Sequence, residues 1–272
     1  MVLVLLTGAA PYPAWAGWSP LLDLGAGAGY DDNLNYAASA DQREGSSFGT
    51  SWLSAGGWMP VSETLRFTVN GAYSGTYYAD FDDLTVHQLA VRSSCRFSVS
   101  DVSSISLGTS GGRRWYGDGD RNSAVYDAGL ELRRRWTSRA ATWAGYRYAS
   151  RAAEESTFSS RSNRLALGGE YQPVEGSWIG LGYALEVAES VFYQSESVPI
   201  PSSGRGRRPS TTFGTDQIAF QDDTTIHTWS ANWEQRALET VFLRVEYAYS
   251  FVRADAGDAH DNLVWASVGY RY

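Results

Sequence analysis

From about residue 20 to the last residue, apolar and polar side chains alternate with a period of two. Between 64 and 78, Leu65, Phe67, Val69, Gly71 and Tyr73 take turns with Arg66, Thr68, Asn70, Ala72 and Ser74. Between 239 and 253, Val241, Leu243, Val245, Tyr247, Tyr249 and Phe251 do the same with Phe242, Arg244, Glu246, Ala248 and Ser250. The last eleven residues repeat it, with Val264, Ala266, Val268, Tyr270 and Tyr272 set against Trp265, Ser267, Gly269 and Arg271. A strand points successive side chains to opposite faces, so each segment has one greasy face and one small or polar face. Twelve segments of this kind lie near 20–30, 47–59, 64–78, 84–97, 103–116, 123–136, 140–150, 162–172, 177–188, 224–235, 239–253 and 262–272. The second is ambiguous, because Trp52 and Leu53 compete for the apolar face.

Most segments run 10–15 residues, the length a tilted strand needs to cross a bilayer. The connections after even-numbered segments are tight, at Pro60–Glu63, Ser98–Val102, Thr137–Arg139, Pro173–Gly176 and Arg236–Leu238. Those after odd-numbered segments include the long ones, Asp31–Ser46, Arg151–Arg161 and Glu189–Asp223. Short turns at one end and long loops at the other predict a single twelve-stranded antiparallel transmembrane β-barrel over residues 17–272, with both termini on the short-turn, periplasmic side. Aromatics support two interfacial belts. Trp58, Phe97, Trp136, Tyr171, Trp233 and Tyr272 lie near one end of the even segments. Tyr30, Tyr77, Trp115, Tyr148 and Tyr249 lie near the other end of the odd ones, with Tyr193 just beyond the ninth. A soluble sandwich would gather such rings in its middle. Glu189–Asp223, with Pro199, Pro201, Pro209, Arg205, Arg207 and Arg208, is expected to be a surface loop; the alternative is that it folds into the lumen.

Composition sharpens this picture. The 272 residues hold 11 Trp, 17 Tyr and 28 Gly, rich in rings and small residues for a soluble domain. No run of about 18 apolar residues offers a spanning helix. All 22 basic residues are Arg and the formal charge is −8, which argues against a nucleic-acid binder. The lone Cys95 excludes an intrachain disulfide framework and a cysteine-rich metal site. At the start, Val2–Leu6 open a short apolar core and Ala14–Trp15–Ala16 fits an A-x-A cleavage site. Residues 1–16 therefore read as an export signal, the other reading being a segment that pairs or stays unstructured.

Twelve strands tilted by ~40° close a backbone cylinder ~24 Å across, which leaves a narrow interior. The inward positions carry ten Arg: Arg66, Arg92, Arg96, Arg114, Arg133, Arg135, Arg147, Arg164, Arg244 and Arg271. They also carry seven carboxylates, Asp23, Asp127, Glu131, Glu170, Glu186, Glu234 and Glu246. Two readings follow. Arg–carboxylate pairs would brace a closed interior, or the cations would line a watery path that favours anions. Inward Gly25, Gly27, Gly29, Gly108, Gly168, Gly180 and Gly182 leave room and favour the path. The first nine of these Arg, with Glu131 and Glu246, are the expected pore-lining set.

Catalytic patterns are poor. The three His are His87, His227 and His260, and neither a G-x-S-x-G elbow nor an H-E-x-x-H motif occurs. His87 and His227 sit near strand ends and look interfacial. Asp258–Ala259–His260–Asp261 offers an Asp/His pair, but reads better as a solvated loop. No metal-ligand spacing or cofactor motif is present, and no enzyme is expected.

Two resemblances add to this. The final strand, through Gly269, Tyr270 and the terminal Tyr272, resembles the C-terminal signal of Gram-negative outer-membrane β-barrels. That resemblance implies outer-membrane lipid and the barrel-insertion machinery as partners. The run Gly27–Ala28–Gly29–Tyr30–Asp31–Asp32–Asn33–Leu34–Asn35 resembles the opening strand of barrels in surface-lipoprotein assembly modifiers and exopolysaccharide-export outer-membrane proteins. It implies an accessory role in export as the alternative to the leading expectation, a narrow passive channel for small hydrophilic, anionic solutes. An outer-membrane enzyme is the third possibility.

Overall fold

The structure, a computed structural model, describes residues 17–37, 42–195, 200–214 and 217–272. The expected export signal, 1–16, lies outside the described residues. Among the described residues thirteen strands follow one another: β1 (Ser19–Asp31), β2 (Ser46–Pro60), β3 (Leu65–Tyr78), β4 (Val86–Ser100), β5 (Ser103–Tyr116), β6 (Ser123–Arg135), β7 (Ala140–Ala153), β8 (Ser160–Val174), β9 (Ser177–Ser195), β10 (Arg205–Ser210), β11 (Gln217–Arg236), β12 (Val241–Ala254) and β13 (Ala259–Arg271). All except β10 form one antiparallel ring, each pairing with the next, β9 with β11 and β13 with β1. Closure leaves the ring no unpaired edge. Where the chain's two ends meet, Leu22 and Tyr272 exchange backbone hydrogen bonds of 3.0 and 2.8 Å. Both described ends therefore lie at the short-turn end.

The period-two pattern sets the faces. Leu53, Leu89, Val91, Leu107, Leu165, Leu181, Val245 and Val268 all lie exposed on the outside. Leu53 is 45% exposed, which resolves the second strand: Trp52 points inward, and its indole N–H donates to Asp23 Oδ1 at 2.6 Å. Trp58 stands an odd number of residues from Leu53 and so faces inward too, with Arg66 stacked 3.9 Å from its ring. It is not part of the outer belt, whereas Phe97, Trp136, Tyr171, Trp233 and Tyr272 are exposed as expected.

The longest connection differs from the surface loop expected. Its flanks continue the barrel strands: β9 and β11 stay paired from Ser177↔Gln235 up to Ser195↔Gln217. Burial of apolar side chains drives this extension. Phe192 of β9 and Phe220 of β11 bury themselves with Val252 and Ala259, and Tyr36 and Ile200 pack against that cluster. Between the two strands, β10 pairs with the upper part of β11, from Arg208↔Ala219 to Ser210↔Gln217.

The Gly-x-Gly-Tyr-Asp-Asp-Asn-x-Asn run ends β1 and ties the first loop down. Asn33 is fully buried; its amide donates to the carbonyls of His260 (2.6 Å) and Ala37 (3.1 Å) and accepts from Ala37 N–H. Asp32 accepts from both the backbone and the side-chain amide of Asn262. The run is thus a clamp between the first loop and β13. Burial, with Asp261 and Asp31 close by, pushes the Tyr36 hydroxyl in this loop well above its ordinary range.

Candidate functional site

The inner face is built by strand parity. Arg66 on β3 lies opposite Arg96 on β4, Arg92 opposite Asn70 and Ser110, and Arg114 opposite Gln88. On the next strands Arg133 and Glu131 face Trp143 and Gly145, and Arg147 faces Arg164. Arg244 lies beside Glu234, and Glu246 between Asn232 and Trp265. Every residue of the expected set therefore falls on the inner face, opposite the exposed apolar side chains.

Their partners divide them. Arg133 forks onto both oxygens of Glu170, one arm at 3.1 Å. Arg147 pairs with Asp127 at 3.0 Å, Arg164 with Glu186 at 3.4 Å and Arg244 with Glu234 at 2.8 Å. Arg271 closes the ring by pairing with Asp23 and Glu234. These are braces between neighbouring strands, except that Arg133–Glu170 spans β7 and Arg271–Glu234 spans β12. Arg135 donates to the Asp101 carbonyl in a turn, and Arg114 to the neutral Gln88. Arg92 and Arg96 have no ion pair or hydrogen bond among the described residues, and Arg66 has only the Trp58 ring. Two carboxylates expected to brace, Glu131 and Glu246, form no ion pair there either. The bracing is done by Asp23, Asp127, Glu170, Glu186 and Glu234.

The glycines behave differently from expectation as well. A methyl group on Gly25 would collide with the Trp52 ring, on Gly29 with Phe48, on Gly168 with Trp143 and on Gly180 with the Asn232 amide. These positions do not hold water-filled room; they receive large side chains from the neighbouring strand. Gly108 alone of the group has ordinary clearance, with nothing closer than 3.7 Å.

The open space lies instead on the β3–β8 side. A cavity of about 660 Å³ at the short-turn end is lined by Trp58, Arg66, Arg96, Arg133, Arg135 and Glu170. Another of about 820 Å³ at mid-height is lined by Asn70, Arg92, Asp127, Glu131, Arg147 and Arg164. The unpaired Arg of β3 and β4 thus border space, whereas on the β11–β13 side Arg244 and Arg271 are tied to carboxylates.

Each of the three His stands in an outward Tyr–His pair: Tyr73–His87 at 2.8 Å, Tyr183–His227 at 2.9 Å and Tyr249–His260 at 2.7 Å. His260 and Asp261 belong to β13, not to a loop, and point to opposite faces. They cannot converge on one reacting atom, as general acid–base chemistry requires. Among the described residues no cluster suits a metal ion.

Sequence parity did not reveal what covers the loop end. There Arg121 is buried, donating to Thr212 Oγ1 at 2.8 Å and stacking over Phe158 and Tyr193. Arg208 pairs with Asp120 and with Glu155. The only sequence hint was the Arg cluster at 205–208.

No family model matches the chain, and no curated protein matches it. Solved structures do. An outer membrane channel from Pseudomonas putida F1 matches with a TM-score of 0.61 at 9% identity, over 94% of this chain and 96% of the channel. A NanC porin matches with a TM-score of 0.51 at 10% identity, over 91% and 98% of the two chains. The TodX monoaromatic hydrocarbon channel, as a deltaS2 mutant, gives 0.50 at 10% identity over 93% and 90%. The chain therefore has the closed antiparallel barrel fold of outer-membrane porins and channels.

Proposed function

We propose that this barrel sits in a Gram-negative outer membrane with its termini in the periplasm. There it acts as a narrow passive channel for small hydrophilic solutes, with anions favoured. One observation carries the reading: Arg66, Arg92 and Arg96 border the inner cavities without a carboxylate partner among the described residues, while the other side of the ring pairs its Arg. Like charges set opposite each other, as Arg66 and Arg96 are, destabilise a sheet. Water and a passing anion would offset that repulsion, and the uncompensated charge raises the local anion concentration. No catalytic step is part of this reading, and its partners are membrane lipid, the insertion machinery and the solute.

The test is reversal potential in a salt gradient across a planar bilayer. Replacing Arg66, Arg92 and Arg96 together by Gln is expected to move the potential toward cation preference with little change in thermal unfolding. Arg133→Gln strands Glu170 and is expected to lower the unfolding temperature, which the triple replacement leaves nearly unchanged; the freed carboxylate borders the same cavity, so this variant should also shift toward cation preference. The reading fails if the triple replacement leaves selectivity intact.

The covered loop end favours a second reading, an accessory barrel of an export system for a surface polymer or lipoprotein. A barrel that conducts in no salt, with or without its loop-end cover, would leave that reading in place.

A further inference from the structure

The long connection does more than lie on the rim. In the ring, β3 and β4 stand opposite β9 and β11. Phe213, from the connection between β10 and β11, nevertheless meets Phe81 of the β3–β4 loop edge to face, ring centroids 4.8 Å apart. It also meets Tyr193 of β9 at 4.7 Å. The segment therefore bridges the mouth from wall to wall.

Polar contacts fasten it at its base and at its far end; at the base Arg205 pairs with Asp223 of β11 at 2.6 Å and with Glu189 of β9 at 3.6 Å. Arg208 reaches Asp120 in the β5–β6 loop and Glu155 in the β7–β8 loop, the latter at 3.1 Å. Thr157 donates to the Gly206 carbonyl, and Thr212 accepts from Arg121. Backbone pairing holds only one edge, β10 to β11, and its register shifts between Arg205 and Arg208. Gly206 and Gly214 bracket residues 207–213, the part that carries Arg208 and Phe213, with φ of +60° and +128°, a region where chain direction changes freely only at glycine. Beneath and beside it space remains: about 540 Å³ bordered by Asp83, Asp118, Phe158 and Arg208, and about 250 Å³ bordered by Tyr36, Phe192 and Phe220. A packed plug would have filled these spaces.

We propose that residues 200–214 form a gate over the loop-end mouth, held shut by the Arg208–Asp120–Glu155 latch. Release of the latch lets residues 207–213 part from the tip of β11 and swing on Gly206 and Gly214 while the wall strands β9 and β11 stay paired. The latch joins partly exposed charges, so salt weakens it. The gate rests on the channel reading, and the experiment separates the two.

Single-channel recording is made on the purified full chain, on Arg208→Gln, on Asp120→Asn/Glu155→Gln, on all three changes combined, and on a form with residues 201–214 replaced by a short Gly-Ser linker. Either latch variant is expected to raise the open-to-closed ratio by about two- to fivefold. Combining them is expected to add little, because both remove the same pairs. The wild-type ratio should rise with ionic strength and that of the variants should not. If one variant fails to insert, the other carries the comparison. Equal open probability in wild type, latch variants and the linker form would overturn the gate and leave the channel. Silence of every form, including the linker form, would overturn the channel and the gate with it.

Discussion

At the scale of single residues, position in the alternation decides face, and the neighbour decides role. Inward glycine and inward arginine were both visible in the sequence by parity alone. What each of them meets was not, because that depends on which residue of the adjacent strand arrives at the same height. Gly25 lies beside Trp52, so the glycine is a seat for a ring. Arg92 lies beside Asn70 and Ser110, so its charge stays free, while Arg244 lies beside Glu234 and loses its own. This predicts that Gly25→Ala overfills the interior and costs about 1–3 kcal/mol of stability. The outward Gly111 has nothing within 4 Å of the added methyl, so Gly111→Ala should be neutral or slightly stabilising. Urea unfolding in lipid vesicles measures both, and equal losses would mean that the Trp52 ring is not seated there.

At the scale of elements, the twelve wall strands and their order were legible because one face of each must be apolar over a membrane's thickness. Their ends were less so. Past residue 188 Val191, Phe192 and Tyr193 follow one another without alternation; they lie on the loop-end side of the expected belt, where lipid no longer imposes strand pairing. Packing of Phe192 on Phe220 and Val252 imposes it instead. β10 had no alternation to read, since Arg205–Gly206–Arg207–Arg208–Pro209–Ser210 offers no apolar face. It pairs because β11 outruns β12 and presents a free edge above Thr224, and a free edge recruits a partner. The wall assignment is testable on β12. Val245 is outward and 42% exposed, while Ser250 is inward, its hydroxyl 3.2 Å from that of Thr228. Val245→Arg is expected to cost about 2–4 kcal/mol near the midplane. Ser250→Arg, facing polar neighbours, should cost clearly less in the same vesicle unfolding assay. Equal costs would reverse the faces of the strand.

At the scale of the whole molecule, closure makes the two ends of the barrel different things. The short turns, such as 136–139 and 175–176, leave the Arg-bordered cavity near that end, while the long loops clasp one another across the other. An even number of wall strands returns both described termini to the short-turn end, and insertion from the periplasm would leave that end inside. Orientation then follows from labelling intact cells with a membrane-impermeant maleimide, in a Cys95→Ser background. Ser202 is exposed in the segment that bridges the mouth, and Ser62 is exposed in the β2–β3 turn. Ser202→Cys should label in intact cells and Ser62→Cys only after the outer membrane is breached. Because Ser202 lies on the bridging segment's own surface, its labelling does not depend on whether the mouth is shut. The opposite pattern would put the short turns outside, and the Arg-bordered cavity would then face the medium instead of the periplasm.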